Sequence, residues 1–126
     1  MSRYSPHMML KVRSNAIRKA AKGKPCLLRI SSFYPGHFCS ENDTTAGDHG
    51  AAGGKGMSTK ETDLAIMFGC QNCHDIIDRR DTQRHDYIVQ KHPLAYGQRL
   101  FSALVETHAM LLDDGLIVVP GGRVIR

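Results

Sequence analysis

The sequence predicts a small α+β domain. Three observations lead there: a long helical apolar pattern near the C-terminus, several short apolar runs bounded by glycine and proline, and four cysteines that include a Cys-x-x-Cys pair. At 126 residues and 41% hydrophobic content the chain can bury one modest core, and it carries no internal repeat or second domain.

Residues 1–14, with Pro6 and no sustained periodicity, are expected to form a flexible basic arm, leaving 15–126 as a single domain. Ser14 or Asn15 can cap a short basic helix from Ala16 to Lys22, which Gly23 and Pro25 stop. Cys26-Leu27-Leu28-Arg29-Ile30 has the character of a strand. Residues 31–43, with Pro35, Gly36, Asn42 and Asp43, form a loop carrying Cys39, and Thr44 to His49 is a second short strand.

Gly50 to Gly56 is too glycine-rich for regular structure. Its amides can approach an anion closely between Lys55 and Lys60, although its spacing is not that of a P-loop. Leu64 to Phe68 is apolar, helix or strand. Residues 71–80 are expected to be a helix with Ile76 and Ile77 inward. Pro93 opens the clearest helix, where Tyr96, Leu100, Leu104, His108 and Leu111 follow at helical spacing until Gly115 ends it. Leu116 to Val119 is expected to be a short edge strand.

The net charge of +5 is unevenly placed. Seven of the 17 Lys and Arg residues fall within residues 1–25, which hold no acid; elsewhere ten face twelve Asp and Glu. A basic arm on a near-neutral body suits a phosphate-rich partner held by counterion release, the alternative being a solvated tail. The apolar runs fall far short of the roughly 20 residues that cross a bilayer, and no signal-peptide core is present, so a cytoplasmic protein with reduced thiols and no membrane partner is expected.

Reduced cysteines point to a metal or to catalysis. Cys70 and Cys73 form a knuckle, and a turn could bring in Cys26 and Cys39 to complete a tetrahedral structural zinc site, with His37 as a substitute ligand. The alternative is that Cys26 and Cys39 are buried thiols. Cys70-Gln71-Asn72-Cys73-His74 also spells the haem attachment motif, which the lack of an export signal and the two remaining cysteines disfavour.

A third reading joins His49, at the end of a strand, to His74 on the following helix across a divalent cation. A neutral imidazole can take a proton from water while the cation stabilises charge on a scissile phosphate. Asp48, Asp63, Asp75 and Asp78 offer oxygen ligands, and Arg79 and Arg80 could clamp a phosphate. Each also has an ordinary reading, as helix-end acids or a solvated basic pair.

The run Asp48-His49, Lys55-Gly56-Met57, Lys60, Asp63 and Cys70-x-x-Cys73-His74-Asp75-x-x-Asp78-Arg79 resembles the YbcO-like nucleases of phages and prophages, which are similar to the wider HNH, or His-Me finger, endonucleases. The likeness spans roughly residues 16–119. It implies a zinc-stabilised ββα-metal core, flanked by the N-terminal basic helix and by a C-terminal helix plus short strand. It further implies structural zinc on Cys26, Cys39, Cys70 and Cys73, and His49 as general base. His74 would hold a catalytic Mg²⁺ or other divalent cation, with Asp48 at a ligand position. Asp63 stands near the group's central asparagine, and Ser58 where glycine is expected; both depart from the pattern.

The function so implied is metal-dependent hydrolysis of DNA, single-stranded or duplex, in phage recombination or DNA processing, with a recombination protein as a further partner. Lys55, Lys60, Arg79, Arg80, Arg18, Lys19 and Lys22 would hold the phosphate backbone. The competing expectation is a non-catalytic, zinc-stabilised DNA-binding or recombination-accessory module, which needs the cysteines and basic residues but neither histidine.

Overall fold

The computed structural model describes residues 10–40, the backbone of 46–48, and 62–126. It is a mixed but helix-dominated fold. Helix α1 (Asn15–Lys19) comes first, then strand β1 (Ala46–Asp48), strand β2 (Met67–Gly69), and helices α2 (Gln71–Ile77), α3 (Thr82–Lys91) and α4 (Pro93–Asp113). Helix α1 starts where expected, since the Ser14 hydroxyl accepts the Ile17 N–H at 3.2 Å, but it ends at Lys19, short of Lys22.

β1 and β2 form an antiparallel pair in the register Ala46 to Gly69, Gly47 to Phe68 and Asp48 to Met67. Leu64 to Phe68, open between helix and strand, contains both: Asp63–Ala65 is a 3-10 turn capped by Thr62, and β2 follows directly. β2 is buried throughout. Its central carbonyl, at Phe68, accepts from Leu27 N (2.9 Å) and Leu28 N (3.2 Å).

Residues 26–30 nevertheless do not form the expected strand. Two successive amides converge on one carbonyl, and Arg29 turns the backbone out of the extended region at φ +47°. The apolar character of this segment serves burial: Leu27, Leu28 and Ile30 are core residues. Leu28 lies so close to β2 that a Cβ at position 69 would sit 2.9 Å from Leu28 Cγ, so Gly69 is required by the approach of this segment.

Helix α4 runs beneath β2. The Phe68 N–H donates to Thr107 Oγ1 at 3.1 Å, and His108 Nε2 donates to the Leu64 carbonyl at 2.5 Å. Thr107 is fully buried, so Thr107→Val, which keeps the shape and deletes the acceptor, should cost about 1–3 kcal/mol through the stranded amide. A lowered denaturant midpoint with an unchanged slope would register it.

Pro93 stands at the start of α4, and Gly115 follows its end at φ +77°. The expected edge strand at Leu116 to Val119 is absent, because the Leu116 N–H is spent on the Leu111 carbonyl at 2.8 Å to close α4. Helix α2 stops at Ile77, short of residue 80, since Arg79 adopts φ +62° beyond the Asp78 C-cap. Helix α3 was not anticipated; Asp81 caps it by accepting the Arg84 N–H.

Candidate metal centre

All four cysteine sulfurs lie within 4.8 Å of one another. Cys26 and Cys39 Sγ are 3.8 Å apart, and each is 3.7 Å from Cys73 Sγ. Four sulfurs held about 2.3 Å from one tetrahedral ion stand about 3.8 Å apart. None is in a disulfide. Thiolate donors in this arrangement fit a structural zinc ion, and the buried-thiol alternative is the poorer description of the cluster.

Three segments place the four ligands. Cys70 is the N-cap of α2 and Cys73 lies in its first turn, so the end of β2 delivers both. Cys26 begins the segment bonded to Phe68, and the left-handed Arg29 brings its own N–H to Cys26 Sγ at 3.5 Å. Cys39 arrives on the loop after the 3-10 turn Ser31–Phe33, where Asn72 Nδ2 donates to the Phe38 carbonyl at 2.8 Å. The buried Ser31 hydroxyl lies 3.2 Å from Cys73 Sγ. No motif in the sequence marks Arg29, Ser31 or Asn72 as supports. Arg29 acts through its backbone, and the others become visible only once the loop is folded against α2.

The thiols conflict electrostatically without an ion. The hydrogen bond from Cys39 pulls the Cys26 thiol down to about 6. Cys70 is also driven down, first by its contact with Cys26, whereas Cys39 and Cys73 are pushed up, most strongly by theirs. Some sulfurs favour the thiolate at the expense of others. A divalent cation lets all four ionise together.

The remaining predicted residues are partly brought together. His74 follows Cys73 on α2 and is buried. Asp48 closes β1, where its backbone alone is described; His49, Lys55, Lys60 and Ser58 lie outside the described residues. Asp63 is fully buried, and its Oδ2 accepts the Ser14 N–H at 2.6 Å and pairs with Arg18 Nε at 3.4 Å. The Asp63 N–H in turn donates to the Val12 carbonyl at 2.7 Å, and Val12 N donates to Thr62 Oγ1 at 3.0 Å. Residues 12–14, at the end of the basic arm, therefore run against the 62–63 turn.

The two arginines after α2 differ. Arg80 is engaged by Asp75 and Asp78, each at 3.1 Å. Arg79 is exposed and held in the left-handed region, a conformation that costs a non-glycine residue about 1 kcal/mol. Lys19 and Lys22 are exposed, whereas Arg18 is tied to Asp63. His37 is not drawn into the sulfur cluster; its Nε2 is buried without a hydrogen-bond partner among the described residues.

The family model described as "Putative nuclease YbcO" matches residues 15–101, well over half of the chain and a stretch that includes all four cysteines, His49 and His74. The chain belongs to the YbcO family. It is 40% identical over 65 residues to a relative of that description from Escherichia coli K12, and equally to one from Enterobacteria phage 82. The alignments cover 51% of this chain and 64% of each relative, so the chain spans less than two thirds of the YbcO proteins it matches. No solved structure matches it. No helix among the described residues is long and apolar enough to cross a membrane.

Proposed function

We propose that this YbcO-family chain is a metal-dependent endonuclease that hydrolyses DNA phosphodiester bonds at an HNH, or His-Me finger, site within residues 15–126. The observation that carries the reading is the order of elements: β1 closes on Asp48, next to His49, and its antiparallel partner β2 leads through Cys70 into α2, which bears His74. The family description supports nuclease chemistry on a nucleic acid.

In this reading zinc is structural, fixing the junction of β2 and α2. His49 accepts the proton of the attacking water. His74, with Asp48 or Asp63, would hold a cation such as Mg²⁺, which supplies charge neutralisation at the scissile phosphate and leaving oxygen. Asp63 has a second duty as the buried anchor of Ser14 and Arg18. Lys55, Lys60, Lys19, Lys22 and Arg79, with the arm, bind phosphates and read no bases. The phage relative supports a phage setting, and the proposal extends it to DNA processing inside a bacterial host with a recombination protein as partner.

One observation favours the second reading, a zinc-stabilised DNA-binding module. Asp63, near where the wider HNH group has its central asparagine, is committed to holding the chain before α1. The test is cleavage of single-stranded and duplex DNA with and without Mg²⁺ or Mn²⁺, with His49→Ala prepared alongside.

Arg79 offers a separate check. Arg79→Gly removes one cation and relieves the left-handed strain, so folding stability should stay level or rise by up to about 1 kcal/mol. Affinity for DNA should fall, with the salt slope shallower by about one phosphate contact. Unchanged affinity and slope would remove Arg79 from the interface.

A further inference from the structure

Helix α4 has two apolar faces, and the fold uses one. Ala103, Thr107 and Leu111 are buried toward the core. The other face carries Leu94, Gln98, Phe101 and Val105; Leu94 is 72% exposed, Phe101 68% and Val105 51%. At 3.6 residues per turn these four positions fall within about 60° of one another, in the alternating spacing of a coiled-coil seam. The seam carries no charge, and the nearby Arg99 is turned to Glu106.

Gly97 is the second observation. Glycine inside a helix costs about 1 kcal/mol relative to alanine. Here a Cβ would meet nothing within 4 Å among the described residues, so their packing does not call for glycine. A shallow groove opens over it, lined by Pro93, Leu94, Gly97, Gln98, Phe101 and Ser102. Room at the middle of an exposed apolar seam suits close approach from outside.

We propose that the chain pairs with a second copy of itself through an antiparallel contact between the two α4 helices. The seam's spacing of four, three and four residues reads the same in both directions. Antiparallel pairing therefore sets Leu94 against Val105 of the second copy, Gln98 against Phe101, and Gly97 against Ser102. Each Phe101 ring then lies at the groove over the other copy's Gly97. Such self-complementarity is what an isologous two-fold interface requires, and an uncharged seam offers nothing to a charged partner. The two faces together would bury about 1,000 Å², the lower edge for a specific pair, so association in the micromolar range is expected. The pairing does not rest on the nuclease reading.

Sedimentation equilibrium of the zinc-loaded full chain, up to about 100 µM, tests it. The wild type should reach twice the chain mass. Phe101→Lys should raise the dissociation constant at least about 30-fold. Gly97→Leu, which fills the groove without disturbing the chain's own packing, should do the same while keeping bound zinc and helical content. A wild type monomeric throughout, or association unchanged in both variants, would overturn the pairing and leave the seam to a different partner.

Discussion

His49→Ala should lower the DNA cleavage rate by about 10²–10⁴-fold, the range a positioned general base contributes, while leaving the fold, the bound zinc and most of the DNA affinity in place. The selectivity of that loss follows from where the residue lies. It follows Asp48, the last residue of β1, in the chain, and the four cysteines make a complete tetrahedral set without it, so on this account removing its imidazole takes no ligand from the metal centre that joins residues 26–39 to α2. In the proposed reading, DNA affinity rests on cations elsewhere, Arg79 and the arm among them. The signature is therefore a fall in kcat with binding nearly constant. A variant that cleaves as fast as wild type would remove His49 from the chemistry. One that loses zinc and unfolds would make its role structural.

Cys73→Ser should be the most damaging change to stability. Cys73 Sγ lies 3.7 Å from both Cys26 and Cys39 and is buried, with the Ser31 hydroxyl beside it. A structural zinc site contributes on the order of 10 kcal/mol to folding in small domains, as much as a typical domain's whole net stability. Beyond the sulfurs, the Asn72 bond to the Phe38 carbonyl also ties residues 26–39 to α2. The variant should lose stoichiometric zinc and cooperative unfolding together, and a strong chelator should do the same to the wild type. Retained cooperative unfolding with zinc absent would reduce the cluster to ordinary buried thiols. On the zinc account, loss of His49 is silent on stability, whereas loss of Cys73 abolishes both stability and cleavage.

Much of this architecture was readable because its signals are local. Ser14 as cap, Pro93 as first residue of α4 and Gly115 as its stop each act within one turn of chain. The Cys70–Cys73 knuckle declares itself by spacing, whereas Cys26 and Cys39 read as ligands or as buried thiols until the fold gathers the four sulfurs. What was not readable depends on distant partners. The run at 26–30 has strand composition, but its amides share a single carbonyl of β2 and Arg29 breaks the extension. Leu116 to Val119 has strand composition too, but its first amide is consumed by the end of α4.

Helix α3 is not visible in the apolar periodicity because its inner face is built from His85 and Ile88, and a buried histidine does not register as apolar. At the site, the residue types were legible and their duties less so. Asp63 could be picked out by position, but its bonds to Ser14 and Arg18 arise from a contact across about fifty residues of chain. Asp75 and Asp78, candidate oxygen ligands, turn out to hold Arg80. Arg79 and Arg80 look equivalent in sequence and differ in the fold, one strained and exposed, the other neutralised.

The measurement closest to the central claim is cleavage of one DNA, offered as single strand and as duplex, by zinc-loaded wild type and by His49→Ala purified identically. The account predicts no product in chelator, product on addition of Mg²⁺ or Mn²⁺, and its loss in the variant. Equal cleavage by both proteins, or tight salt-sensitive binding without cleavage under any divalent cation, would contradict it and leave a zinc-stabilised DNA-binding module.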